Sequence, residues 1–237
     1  MKTVFSKTGS HVSIIISFVV FVTFVVFLFF ILQPSLGVGN EKEALLDSIE
    51  TSLLDYMSSD LNIISAKINS GIGCVQLNGL ASASGVIAAG DSLKIKSAGG
   101  EILNYELTSA GDLKIQNSAG NTFFKIYESD AISGSGAAIG ACTASTYNLG
   151  LVRTEKKVFE KKITDAILLY QASYDQLKQD IGLTSGDFGF DFVYDNGTIV
   201  SRGEPSQAAG VSTKQSSFSY IDVDMNIKQG SMVIKAW

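Results

Sequence analysis

The chain has 237 residues, of which 46% are hydrophobic and only 17% charged, with a formal net charge of −5 and a mean hydropathy of +0.25. That charged share is below the rough quarter usual for a soluble domain. The net negative charge, with Lys156-Lys157 and Lys161-Lys162 interleaved with Glu155 and Glu160, sets aside nucleic acid as a partner.

From Val12 the sequence reads VSIIISFVVFVTFVVFLFFIL, with no charge, Gly or Pro before Gln33. As a helix the run is about 31 Å long, the thickness of a bilayer's hydrocarbon core, and it predicts a transmembrane helix over 12–32 with the lipid bilayer as its partner. Lys2 and Lys7 precede the run and no positive charge follows it as far as Asn40. The positive-inside bias therefore puts residues 1–11 in the cytoplasm and the C-terminal part outside it, which makes a single-pass cell-membrane protein. Ser35-Leu36-Gly37 has the small residues a signal peptidase favours. Removal as a secretory signal is thus the alternative, although the run exceeds the roughly 7–15 apolar residues of such signals.

Gly9 lies between the short basic leader and the apolar run. This layout resembles the N-terminus of type IV pilins and their archaeal relatives, with Ile14 where the bacterial kind carries a Glu. The resemblance implies that a dedicated peptidase cuts between Gly9 and Ser10. The apolar helix would then remain as an assembly stem that packs with copies of itself or with other envelope proteins. The leader, the segment Ser173-Tyr174-Asp175-Gln176-Leu177-Lys178, Phe188-x-Phe190 and the final Trp237 together look similar to uncharacterised archaeal single-pass membrane-anchored proteins. That likeness implies no activity.

Pro34, Gly37 and Gly39 predict a linker over 33–39, followed by an extracytoplasmic α+β domain over 40–237. Asn40 and Glu43 form a capping pair for an amphipathic stalk helix in which Leu45, Leu46, Ile49, Leu53, Tyr56 and Met57 recur at helical spacing as far as about Leu61. Its polar face is acidic (Glu41, Glu43, Asp47, Glu50, Asp55), which favours docking on the domain over lying on a membrane surface.

Next, Ser97-Ala98-Gly99-Gly100, Ser109-Ala110-Gly111-Asp112 and Ser118-Ala119-Gly120-Asn121 punctuate short alternating runs. They predict a four-stranded antiparallel meander over 92–96, 101–108, 113–117 and 122–128. Leu93, Ile95, Leu103, Tyr105, Leu107, Leu113 and Ile115 would be its buried face, with the lysines and glutamates turned to solvent. A Gly/Ala/Ser-rich loop over 129–145 leads to a long helix near 156–181. Its stripe of Phe159, Ile163, Ile167, Tyr170, Tyr174, Leu177 and Ile181 fits either packing on its own sheet or a coiled-coil seam. Two hairpins follow, one turning at Asp195-Asn196-Gly197 and one at Lys228-Gln229-Gly230, with Trp237 inside the last strand.

Cys74 and Cys142 are the only cysteines, both on the outer side of the proposed membrane. An even pair in an exported domain reads as a disulfide that closes a loop of about 67 residues and stabilises by about 4 kcal/mol, with two unpaired thiols as the alternative. The sole histidine, His11, sits at the cytoplasmic edge, which removes histidine triads and HExxH zinc sites from the domain. No GxSxG elbow occurs, and the chain reads as a non-enzyme with no catalytic, cofactor-binding or metal-binding residue.

Gly134-Ser135-Gly136 with Gly140 imitates a dinucleotide loop at the wrong spacing. Asp222, Asp224 and Asn226 imitate a calcium loop, but Ile227 replaces its glycine and the alternation reads as the polar face of a strand. Asn196-Gly197-Thr198 is both a glycosylation sequon and a favoured hairpin turn. These features point to an anchored structural or interaction protein, pilin-like in its stem. The alternatives are a monomeric tethered ligand-binding module, using loops 129–145 and 202–215, and a hydrolase without histidine.

Overall fold

The computed structural model of the protein describes residues 9–69, 71, 73–88, 90–134, 136–203 and 210–237, with side chains of the first helix described over 13–31 and from 42 onward. Lys2 and Lys7, residues 204–209 of the expected binding loop 202–215, and the side chains of Ser10, His11 and Asn40 lie outside the described residues. The chain divides into two compact units between Ser48 and Ile49.

Helix α1 (Gly9–Tyr56) provides the whole described part of the first unit. Its stretch Ser13–Ile31 has a mean hydropathy of 3.2 and none of it is buried, so it is long and apolar enough to cross a membrane. The Thr23 hydroxyl donates to the Val19 carbonyl at 2.8 Å, which satisfies the polar group inside its own helix. The break expected at Pro34, Gly37 and Gly39, and the capped restart at Asn40, are not found, because α1 continues through them. A proline removes one helical hydrogen bond and each glycine costs about 1 kcal/mol relative to alanine, losses that a helix with long flanking turns can absorb.

In the second unit Ile49, Leu53 and Met57 are buried. The helix stops at Tyr56 and not near Leu61, since the pattern beyond Met57 changes to the alternation of strand β1 (Ser58–Ile68). There follow β2 (Gly73–Leu77), α2 (Leu80–Ser84), β3 (Leu93–Ser97), β4 (Ile102–Leu103), β5 (Tyr105–Leu107), β6 (Leu113–Asn117), β7 (Phe123–Glu128), β8 (Thr143–Ala144) and β9 (Tyr147–Phe159). After α3 (Glu160–Ala172) and α4 (Tyr174–Asp180) come β10 (Phe188–Val193), β11 (Ile199–Arg202), β12 (Ser212–Ile221) and β13 (Ile227–Ala236).

Among the described residues the strands form two sheets, one ordered β11-β10-β13-β12-β9-β1-β7-β3-β4 and one ordered β5-β6-β2-β8. The mixed α+β class is therefore as expected, with mainly antiparallel pairing. The larger sheet is joined at its middle by only two parallel partners, Tyr220↔Val158 and Ile221↔Phe159.

The expected meander is instead divided between both sheets. β3 pairs with β4 and β7, whereas β5 pairs with β6. The first two SAG turns do close hairpins, with Gly100 N–H donating to the Ser97 carbonyl and Gly111 N–H to that of Thr108. The third carries the chain from one sheet to the other. There the buried Asn117 side chain donates to the Gly71 and Asn121 carbonyls and accepts from Asn121 N–H, which pins a crossing in place of a hairpin. Leu93, Ile95, Tyr105, Leu113 and Ile115 share one core with Val75, Leu77, Phe124 and Ile126, and Leu103 and Leu107 pack against it. Leu93, Ile95, Tyr105, Leu113 and Ile115 are thus buried and Leu103 and Leu107 partly so, but they come from two sheets and not from one meander.

Two further expectations change. The helix predicted from Lys156 begins only at Glu160, because 147–159 form β9, and it divides at Ser173 into α3 and α4. The apolar stripe packs on its own sheet: Tyr170 sets its ring edge-on to Phe188 and Phe190 at 5.7 and 5.6 Å, and its hydroxyl donates to the Phe188 carbonyl at 2.7 Å. The last hairpin turns at 222–226, so Asp222, Asp224 and Asn226 are turn residues and not a strand face. Gly230 lies inside β13, where a Cβ would stand 3.1 Å from Phe192 and 3.3 Å from Tyr220; it makes room for rings and makes no turn.

Candidate functional site

β3, β7, β1 and β9 place one face against the sandwich core, and the other is covered only in part, where Ile221 at the end of β12 and Met225 pack on Leu61, Ile63 and Tyr127. The register defines what the open face carries. Lys94, Tyr127, Ile63 and Arg153 are successive cross-strand partners, as are Lys96, Lys125 and Ser65. Partners in an antiparallel ladder project to the same side, so these residues share one surface. Glu155 and Lys157 extend it along β9.

The β12–β13 turn borders this face. Asp222 accepts from the N–H groups of Asp224 and Asn226 at 2.9 and 2.7 Å and from the Asn226 side-chain amide at 3.1 Å. Met225 adopts a φ of 59° in the same turn. The Lys96 ammonium reaches beneath it, donating to the Asn226 side-chain oxygen at 2.8 Å and to the Met225 carbonyl at 3.3 Å. Lys96 is therefore buried, against the expectation that the β3 lysines face solvent. Below the turn, Leu61, Ala131, Ile132, Phe159, Ile221 and Met225 form a small second core.

A groove of about 310 Å³ runs between turn and sheet, with Ile63, Lys125, Tyr127, Leu151, Arg153 and Ile227 on its walls. It adjoins a depression of about 410 Å³ around Lys96, Phe123 and Lys125, with Lys125 and Tyr127 common to both. Burial pushes the Tyr127 hydroxyl above its ordinary pKa, and the Arg153 cation partly opposes that shift. Glu155 is held below the usual carboxylate range by the Lys157 hydrogen bond first, then by the charges of Lys157 and Arg153. It pairs with Lys157 at 3.0 Å and Arg153 at 2.9 Å, and among the described residues no ion pair reaches Lys94, Lys96 or Lys125. Lys96 is spent on the turn, so the open part of the face sets Lys94, Lys125, Arg153 and Lys157 against Glu155, with Asp222 and Asp224 on the bordering turn, a field that is cationic around Lys125 and Arg153 and suited to holding anions there.

The residues singled out in the sequence lie elsewhere. Cys74, in β2, and Cys142, just before β8, are bonded with a Cα–Cα distance of 4.9 Å, and Val75 and Gln76 of β2 pair with Thr143 and Ala144 of β8. Asn196 is exposed at the tip of the β10–β11 hairpin, where its side-chain oxygen accepts from Thr198 N–H at 2.9 Å. Gly9 and Ser10 open α1. Among the described residues no group of three or more His, Cys, Asp or Glu side chains is placed to hold a metal ion. In loop 129–145, Ile139 is fastened by Glu106, whose pKa is lowered first by the Ile139 N–H and then by Lys114.

Sequence reasoning missed the groove because it assigned no element between the loop ending at 145 and the helix expected from Lys156, where β9 runs. The available signal was Leu149, Leu151, Arg153, Glu155 and Lys157, which alternate over a strand's length. Compared with family models, curated proteins and solved structures, the chain matches none of them.

Proposed function

We propose that the chain is a membrane-anchored, extracytoplasmic structural or interaction protein, a pilin-like subunit of a surface or secretion assembly. The observation that carries this reading is α1 itself. Its stretch Ser13–Ile31 is apolar on every side and wholly exposed, while the other end of the same helix, at Ile49 and Leu53, is buried in the second unit. Exposed Phe, Val and Ile all round a helix are costly in water, so the stretch calls for lipid, or lipid and like helices, around it. The disulfide supports placing the second unit in an oxidising compartment outside the cytoplasm.

The groove favours a second reading, a monomeric tethered module that binds a ligand of the cell envelope. Mass spectrometry of the N-terminus of protein from the native membrane separates the two. A chain beginning at Ser10 is expected for the pilin-like route. An intact Met1 favours the plain tether, and a start near Val38 overturns the anchor.

A further inference from the structure

We propose that the open face of β9, β1, β7 and β3 docks an extended acidic peptide segment of a partner protein, with carboxylates on Lys94, Lys125 and Arg153 and apolar side chains against Ile63, Leu151 and Ile227. The inference rests on reading the second unit as an interaction module.

Charge complementarity selects the partner. The chain as a whole is acidic, yet this one surface gathers Lys94, Lys125, Arg153 and Lys157 around a carboxylate, Glu155, already engaged by two of them. Lys125 is exposed, no ion pair reaches it among the described residues, and its neighbour across β3, Lys96, adds a second positive charge that is held beneath the turn, so a bound anion would relieve the repulsion at Lys125. Between the cations lie large apolar side chains that the fold leaves bare, Leu151 at 57% and Ile227 at 67% exposure. Alternating cationic and apolar positions across a pleated surface match a strand whose acidic and apolar residues also alternate.

An acidic polysaccharide would bring the charge but would stack its rings on aromatic faces, and here only Tyr127 and Phe123 are aromatic among aliphatic neighbours.

The test uses the full chain in lipid nanodiscs and a fluorescein-labelled octapeptide of alternating Glu and Leu. Saturable binding is expected, about tenfold weaker for peptides with Gln in place of Glu or Ser in place of Leu, and about tenfold weaker for Lys125→Gln/Arg153→Gln. Both substituted residues are exposed, so folding is retained, and Leu151→Ser supplies a second variant that lowers affinity without altering charge. Lys178→Gln, in α4, leaves binding unchanged. The proposal is overturned if the Glu/Ser peptide or polygalacturonate binds as well as the Glu/Leu peptide, if the variants bind normally, or if scattering shows that the face is buried in a dimer. None of these outcomes bears on the anchor, which the N-terminal mass decides separately.

Discussion

Lys96 donates through its ammonium to the side-chain oxygen of Asn226 at 2.8 Å, across 130 positions of sequence. This bond, with a second to the Met225 carbonyl, fastens the β12–β13 turn to the sheet. Lys96→Met keeps the aliphatic stem but strands a buried carbonyl, and is expected to cost about 1–3 kcal/mol. Urea unfolding of the variant beside Asn226→Ala measures it. Asn226→Ala keeps the carbonyl contact but loses both the Lys96 bond and its own amide bond to Asp222, and is expected to cost a similar amount.

The Cys74–Cys142 bond constrains a loop whose sequence separation is 68. Its removal in Cys74→Ser/Cys142→Ser is expected to lower stability by about 2–5 kcal/mol. Thermal unfolding with and without reductant reads the effect, and the double variant should be insensitive to reductant. Hydrogen exchange should increase first at β8, which pairs with β2 through two residue pairs.

Acid weakens the second unit. Asp130, Asp187 and Asp195 have carboxyls lowered chiefly by hydrogen bonds from Ser59, Lys178 and Lys228 respectively, and Glu106 and Glu155 are lowered as described above. A depressed folded pKa gives stability that is present above the unfolded value and is lost as pH falls through the folded one. Glu128 acts in the opposite sense: burial, the largest influence, raises it despite the Asn62 hydrogen bond, so its protonation in acid relieves a cost. Five lowered groups against one raised one predict a net loss below about pH 4. Urea midpoints at neutral, mildly acid and strongly acid pH check the sign, and a midpoint that rises towards low pH contradicts it.

The tip of the β10–β11 hairpin combines a turn with a sequon. Gly197 has a φ of 79°, so Gly197→Ala is expected to cost about 1 kcal/mol. If Asn196 carries a glycan in the native cell, intact-mass spectrometry shows the added mass, and it disappears in both Asn196→Gln and Thr198→Ala. An unmodified wild-type mass assigns the triplet to the turn alone.

Gly230 tests ring packing. A methyl group there would stand 3.1 Å from Phe192, 3.2 Å from the Val193 carbonyl and 3.3 Å from Tyr220. Gly230→Ala is therefore expected to destabilise by about 1–3 kcal/mol and to perturb the near-ultraviolet signal of the Phe192, Tyr194 and Tyr220 rings. A turn glycine would give no such aromatic change.

Local patterns told most where one periodicity acted alone. The apolar run, the β10–β11 hairpin and the buried face of 93–115 were legible because length, alternation and turn residues agreed there. The third SAG turn was misleading, since whether a turn closes a hairpin or crosses between sheets depends on Asn117 finding Gly71, a contact distant in sequence. The Lys- and Glu-rich end of β9 carries helix-forming residues, yet pairing with β1 from Ser58 to Ile68 overrides that preference. The basic groove is a product of register: Lys94, Lys96, Lys125 and Arg153 are scattered along the chain, and only the ladder brings them to one surface.

The two-residue joint between β9 and β12 has a mechanical meaning. Asp55 of α1 pairs with Lys156 of β9, and Glu50 pairs with Lys214 of β12, so the helix end grips both sides of the seam. The end of α1 is thus a third connection between the sandwich and the β10–β13 half, one that bridges the seam from outside the two-pair ladder.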